Sequence, residues 1–372
     1  MTVQPSATAP LPVRVTFGNR ASAIGMVLGA LAAVALAAAP VWCGRDDLQL
    51  LSEMYAYVAL ASLWNLLAGY AGHVSIGQQA YVGLGGYVLF AFAILFGISP
   101  LWSIPLAGVI AAAVSIPVAF LVFRLRGHYF AIGTWIVAEV FRLVASQISA
   151  LGGGSGTSLP AAVVIAIAPT RQLRDDILYW IALGLAVAVL ALIVLLLRSR
   201  YGLALKAMRD SELAAACNGV DVKRTKRLVY IVTAFATAMV GALIFLQKLR
   251  ISPDAAFSVN DWTAFVIFIT VIGGIGRIEG PIVGTIVFFV LRQTLADLGT
   301  IYLMMLGLVA ILIMLAAPKG IWGLVVERFG WQLFPLERRV LFEDHSGARQ
   351  GAPPKKAVIG MTADREKRTN GE

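Results

Sequence analysis

Ten apolar runs recur along this chain, most of them close to 20 residues long, and that length dictates what the chain can fold into. About 20 residues of α-helix cross a hydrocarbon core about 30 Å thick. The runs cover residues 21–41, 50–69, 78–96, 102–123, 129–149, 177–197, 228–247, 262–273, 281–298 and 301–317. Backbone amides find no water inside a bilayer, so each run has to satisfy its own hydrogen bonds as a helix. The predicted fold class is therefore an all-α polytopic membrane protein with about ten spans. Run 262–273 is short for an upright span; it either extends outward through 254–261 or re-enters.

Composition agrees with this class. The chain is 59% hydrophobic and 13% charged, against roughly 25% charged residues in a soluble domain. A net charge of +10 would suggest nucleic acid in a soluble protein. Here the Lys and Arg residues sit in loops and tails, where membrane topology and anionic headgroups account for them, so no nucleic-acid partner is expected. The first run follows Arg14 and Arg20 and contains Ala37, Ala38 and Ala39, as a cleaved signal peptide would. Its length favours an uncleaved first span. Cys43 and Cys217 fall in different predicted compartments, so no disulfide framework is expected.

Charge orients the spans. Segment 198–227 carries eight Lys/Arg against three Asp/Glu, and short loops rich in positive charge stay on the cytoplasmic side. With a cytoplasmic N-terminus and ten spans, Arg124 and Arg126, segment 198–227 and the chain from Lys319 onward all land inside. The predicted layout is an N-terminal tail at 1–20, a membrane domain at 21–324 and a disordered C-terminal tail at 325–372. Both termini are cytoplasmic in this layout. Within 198–227, residues 203–217 are strong helix formers, and Gly219 follows as a stop.

No catalytic residue or metal site emerges. His73 and His128 sit at span boundaries, His345 lies in the tail, and no phosphate-binding Gly-rich loop with its Lys occurs. The chain is therefore read as a non-enzyme that binds no cofactor of its own. The stretch 64–87 places Asn65, His73, Ser75, Gln78 and Gln79 among six glycines. Two readings are open: an interrupted helix pair lining a polar pathway, or a cytoplasmic turn between tightly packed helices. Glu139 and Arg142 share a helix face near mid-span and read first as a structural ion pair, with a role in substrate passage as the alternative. Asp261 and Trp262 read as an interface anchor, 152–160 as a flexible external loop, and Arg277 with Glu279 as a solvated or partner-facing turn.

In order and spacing these segments resemble one family, the permease subunits of branched-chain amino acid ABC importers, specifically the LivM-type half. The resemblance covers about residues 48–324. It rests on Gly69-Tyr-Ala-Gly-His73-Val-Ser75-Ile-Gly-Gln78-Gln79-Ala, on Tyr129-Phe-Ala-Ile-Gly-Thr134 with Ala138-Glu-Val-Phe-Arg142, and on Gly152-Gly-Gly-Ser. It continues through Ala207-Met-Arg209-Asp210-Ser-Glu212-Leu-Ala-Ala215 with Gly219, Val271-Ile-Gly-Gly-Ile-Gly276 with Gly280-Pro281, and Pro318-Lys-Gly-Ile-Trp-Gly-Leu324. The chain departs from the family at Gln78-Gln79, where Gly-His is common, and lacks an acidic residue after Gly-Gly-Ser. Its tail is also longer.

The resemblance implies a bacterial-type inner-membrane complex. In it a second permease subunit, a LivH-type paralogue, completes the pathway, two cytoplasmic ATPases consume ATP, and a periplasmic binding protein delivers substrate. Segment 198–227 then resembles the ATPase-coupling region, with Glu212, Ala215 and Gly219 carried over and Arg209 and Asp210 beside them. The family also handles urea and short amides, which leaves such a permease as an alternative. An ion-coupled carrier is the alternative from another class. It would want carboxylates in several spans, and only Glu53 and Glu139 lie near span interiors.

Overall fold

A computed structural model of the chain describes residues 13–17, 27, 29, 31, 33–295, 301–317, 319–329 and 338–342. It is overwhelmingly helical. The elements, in order, begin with β1 (Val13–Phe17), then α1 (Arg45–Asn65), which continues as a π-helical turn at Leu66–Tyr70. Next come α2 (Gln78–Leu95), α3 (Pro100–Val122), α4 (His128–Ser146), β2 (Thr157–Ser158) and α5 (Ala161–Ile167). They are followed by α6 (Arg171–Arg198), α7 (Arg200–Asp210), α8 (Glu212–Cys217), α9 (Val222–Lys248) and β3 (Arg250–Ile251). Then follow α10 (Pro253–Ala256), a π-helical turn at Asn260–Ala264, α11 (Phe265–Gly273), α12 (Glu279–Leu295), α13 (Ile301–Ala316), α14 (Gly320–Phe329) and β4 (Arg338–Phe342).

Eight helical segments among the described residues are long and apolar enough to cross a bilayer. Seven match predicted runs to within a few residues at their apolar centres. The short run 262–273 is resolved by extension, because the helical segment reaches back to Pro253 and spans 21 residues. Run 281–298 corresponds to α12 and ends outside the described residues. Much of run 21–41 also lies outside them, and its described part closes in a turn at Ala39–Val41.

The spans sort into a centre and a periphery. The apolar windows of α1, α2 and α9 are 72–78% buried, whereas those of α3, α4 and α6 are only 22–33% buried. Outward-facing Trp135, Ile136, Val140 and Leu143 on α4 are suited to lipid or another apolar surface. The central crossing of α2 on α9 is set by glycine. A Cβ on Gly85 would stand 2.0 Å from the Ala238 carbonyl oxygen, and one on Gly241 would stand 2.3 Å from that of Val82. Two backbones thus touch where no side chain intervenes, and Tyr81 donates to the Tyr230 hydroxyl at 3.1 Å further along the same contact. Apolar lipid gives helices little reason to associate, so such close dispersion contact and hydrogen bonding hold the centre together.

Short strands add structure outside the spans. Within the predicted tail at 325–372, α14 runs on to Phe329 and Arg338–Phe342 pairs antiparallel with Val13–Phe17, Val13 opposite Phe342, while the rest of the tail lies outside the described residues. The alternation Val13-Arg-Val15-Thr-Phe17 is a strand pattern, far shorter than the apolar runs that mark spans. Loop 152–160, expected to be flexible, is instead held by strand pairing. Its Thr157–Ser158 strand pairs with Arg250–Ile251, and Gly156 packs on the Ile251 carbonyl.

Gly241→Ala is expected to destabilise the purified protein by about 1–3 kcal/mol, the usual cost of overpacking. Gly184→Ala, where a Cβ meets nothing within 4 Å, should leave the thermal melting curve unchanged and serves as the control.

Candidate functional site

Segment 198–227 folds as two helices rather than the single helix expected over 203–217. Ser199 caps α7, its Oγ accepting from the Tyr201 N–H at 3.2 Å. Ser211 interrupts the run, extended at φ −161° and ψ 116°, and its Oγ accepts from the Ala214 N–H at 3.2 Å to start α8. A serine that can cap competes with helix continuation, and here the cap wins. α8 ends at Gly219 with φ +81°, and Asp221 caps α9 by accepting from the Arg224 N–H at 2.9 Å. The outcome is a short helix pair hinged at Ser211, anchored through buried Leu205, Met208 and Ala215. Arg209, Asp210 and Glu212 lie exposed, as does the apolar side chain of Leu213.

This pair rests on a junction of two inter-helix loops. Asn65, at the last turn of α1, is 2% exposed. Its Nδ2 donates to the Arg277 carbonyl and its Oδ1 accepts from the Gly276 N–H, both at 2.7 Å. One amide therefore reads both sides of the 274–278 loop. The approach is so close that a Cβ on Gly69 would stand 2.6 Å from the Gly276 nitrogen. Gly276 has φ +80°, and the Arg209 guanidinium lies over it, Nη1 2.8 Å from where a Cβ would be.

A second contact joins α8 to the α1–α2 loop. Glu212 Oε1 accepts from Lys226 Nζ at 2.5 Å and faces His73 Nε2 at 3.7 Å. His73 Nδ1 lies 2.6 Å from the Ala71 carbonyl, which places the proton of the neutral ring on Nδ1. The ring packs edge-on against Phe123 and Phe130. Burial, followed by the nearby Lys226 ammonium, pushes the His73 pKa below its ordinary value; the Ala71 carbonyl and Glu212 oppose this less strongly. His73 is thus held neutral between a carboxylate and an ammonium.

The remaining residues singled out from sequence separate. Ser75, Gln78 and Gln79 are buried at 4%, 6% and 1% exposure. The Ser75 carbonyl accepts from Trp64 Nε1 at 2.8 Å, Gln78 Nε2 donates to the Leu60 carbonyl at 2.8 Å, and the Thr263 hydroxyl donates to Gln79 Oε1. These bonds tie α1, α2 and the Asn260–Ala264 turn together inside the bundle. Glu139 and Arg142 do pair, at 2.6 Å, and Arg142 also donates to Asp254 at 2.8 Å. They lie away from the Asn65–His73 group, on an exposed stretch of α4.

Two expectations fail here. Of the solvated and partner-facing readings of the Arg277–Glu279 turn, the solvated one fails, because Glu279 is buried at 8% exposure and the backbone of Gly276 and Arg277 is taken up by Asn65. Trp262 is 3% exposed and stacks with Tyr57 at 6.2 Å, so it is a core residue rather than an interface anchor. Among the described residues, no three His, Cys, Asp or Glu side chains converge as a metal site requires.

Helices of membrane-spanning length, with an exposed hinged helix pair seated on the loops of the central spans, make this a multi-pass membrane protein. The family model described as branched-chain amino acid transport system / permease component matches residues 47–318, and the chain belongs to that family. It is 28% identical over 304 residues to the high-affinity branched-chain amino acid transport system permease protein LivM of Escherichia coli K12, covering 76% of this chain and 71% of the relative. A probable LivM of Methanocaldococcus jannaschii is 23% identical, covering 66% of this chain and 76% of the relative. The LivH permease protein of E. coli K12 is 26% identical, covering 74% and 96%. No solved structure matches the chain. The relatives are transport permease subunits, not enzymes, and the family contains LivM and LivH paralogues, which implies a permease partner.

Because the folded protein holds His73 below its unfolded pKa of about 6.5, the unfolded chain binds more protons in acid. The contribution of His73 is present above about pH 6.5 and is lost as the pH falls through that value toward the lowered folded pKa. The melting temperature of the purified protein should fall on acidification below about pH 6.5, and His73→Gln should flatten that decline.

Proposed function

We propose that this chain is the LivM-type half of an ATP-driven importer of branched-chain amino acids in a bacterial-type inner membrane. It crosses ten times with both termini in the cytoplasm, and a LivH-type paralogue completes the pathway. Two separate ATPase subunits bind and hydrolyse ATP; a periplasmic binding protein delivers substrate; the chain itself carries no nucleotide site and no cofactor. The observation that carries the coupling role is the seating of the α7–α8 pair, with Arg209 on Gly276 and Glu212 between Lys226 and His73.

That seating gives a route for work. Closure of the ATPase dimer pushes on α7–α8, whose exposed Leu213 and neighbouring charges offer the docking surface. Arg209 passes the displacement to the 274–278 loop between α11 and α12, and Glu212 passes it to the 71–77 loop between α1 and α2. Asn65, at the end of α1 shortly before the 71–77 loop, is bonded to the 274–278 loop, so four spans move together. The ATPases act by contacting two arrangements of the permease differently, which shifts the balance between inward- and outward-open states.

The ion-coupled alternative is weakened by the placement of its required carboxylates. Glu139 accepts from Arg142 at 2.6 Å, and Glu53 lies near the start of α1 at the end of the bundle, beside Arg292 at 2.7 Å, so the two do not form a set of carboxylates within several spans. Leucine uptake by proteoliposomes holding the complete complex should be abolished by vanadate and survive a protonophore while ATP is maintained. The opposite pattern would establish ion coupling. Uptake of urea in place of leucine would move the chain to the amide-carrying branch. Arg209→Ala and Glu212→Gln should each lower uptake roughly 5-fold or more, with the binding protein's Kd for leucine unchanged.

A further inference from the structure

At the end of the bundle opposite His73 and Glu212, the first turns of α1 and α6 and the last turns of α9 and α12 enclose a cavity of about 320 Å³. Volumes of about 300–1,000 Å³ are typical of small-molecule sites. Its apolar wall is made by Leu48, Ala56, Tyr57, Leu178, Ile244 and Trp262, and its polar wall includes Glu53, Asp175, Lys248 and Arg292. Two carboxylates and two cations thus meet around an apolar floor.

These four charges are not equivalent. Asp175 Oδ2 is taken by Arg45 at 2.8 Å, and its Oδ1 lies 3.4 Å from Arg174. Glu53 engages Arg292 through Oε1 at 2.7 Å and remains about two-fifths exposed. Lys248 is different. Its Nζ stands 4.7 Å over the Trp262 ring and 5.8 Å from Phe245, and no carboxylate pairs with it among the described residues. An ammonium held on an aromatic face is attracted by the ring but keeps room for an anion. The cavity therefore offers a cation for a carboxylate, a carboxylate for an ammonium, and buried aliphatic and aromatic surface beside both.

We propose that this cavity receives a zwitterionic aliphatic amino acid, its carboxylate on Lys248, its ammonium on Glu53 and its side chain against Ile244, Leu178 and Trp262. The proposal rests on the importer reading, whose orientation puts this end on the periplasmic side. It places in this chain a receiving site for substrate released by the binding protein, so that this subunit adds selection of its own. An aliphatic carboxylate or an aliphatic ammonium satisfies only one of the two charges, and either should bind worse than the zwitterion.

The test uses the complete complex in nanodiscs without binding protein, titrated with isotope-labelled leucine. Saturable binding is expected, with leucinol and isovalerate each competing at least about tenfold less well than leucine, a difference of about 1.4 kcal/mol. Lys248→Met and Glu53→Gln should each weaken leucine binding at least about tenfold, and Lys248→Arg should restore most of it. Equal competition by leucinol, or undiminished binding in both variants, overturns the proposal. Leucine binding that appears only when phosphatidylethanolamine is omitted also overturns it, by assigning the cavity to a lipid headgroup. ATP-driven uptake by the wild-type complex is measured in parallel. Uptake without the expected binding pattern removes this site alone, whereas absent uptake with intact binding removes the importer reading.

Discussion

The two hydrogen bonds of the Asn65 amide are the contact on which the rest of this structure depends. They join the end of α1 to the loop between α11 and α12, elements separated by about two hundred residues of chain. The Asn65 amide is buried and its two bonds are partly buried, and leaving a buried amide unsatisfied costs about 1–3 kcal/mol per group. The junction also favours glycine on both sides, at Gly69 because a Cβ would run into the Gly276 backbone, and at Gly276 because its φ of +80° is left-handed. Arg209 reaches the junction only because Gly276 presents bare backbone. A single amide thus sets the surface on which the external helix pair rests.

The membrane explains why the polar chemistry gathers where it does. Within the hydrocarbon layer an unpaired polar group is costly, so the spans spend their small and apolar residues on close packing, as at Gly85 and Gly241. Charges accumulate at the two ends. One end holds Arg209, Glu212 and Lys226 around the Asn65 junction. The other holds Glu53, Asp175, Lys248 and Arg292 around an open cavity. The same helices, α1, α9 and α12 with its partner α11, connect the two ends. On the proposed coupling role, these helices are the route by which a displacement at the first end reaches the second.

Much of this was legible in the sequence, for identifiable reasons. Runs of 20 apolar residues mark spans directly, and the charge excess of 198–227 marks one loop. The pairing of Glu139 with Arg142 follows from their spacing of three on one helix. Asn65 and His73 stood out because polar residues among glycines at span ends are unusual. Their partners did not, since nothing in local periodicity links Asn65 to Gly276 or Glu212 to Lys226. Ser211 was missed because helix propensity sums over a window while a cap acts at one residue. Trp262 was misplaced because an aromatic at the end of a short run resembles an anchor until the helix is seen to extend back to Pro253. The cavity around Lys248 needed four helix ends brought together, and no motif announces that.

The most direct measurement of the central claim is the number of leucine molecules imported per ATP hydrolysed by the reconstituted complex carrying Asn65→Ala. If the Asn65 junction transmits the push of the ATPases to the spans, that ratio falls several-fold while ATP hydrolysis continues. An unchanged ratio, with hydrolysis and uptake falling together or not at all, would show that force reaches the pathway by another route.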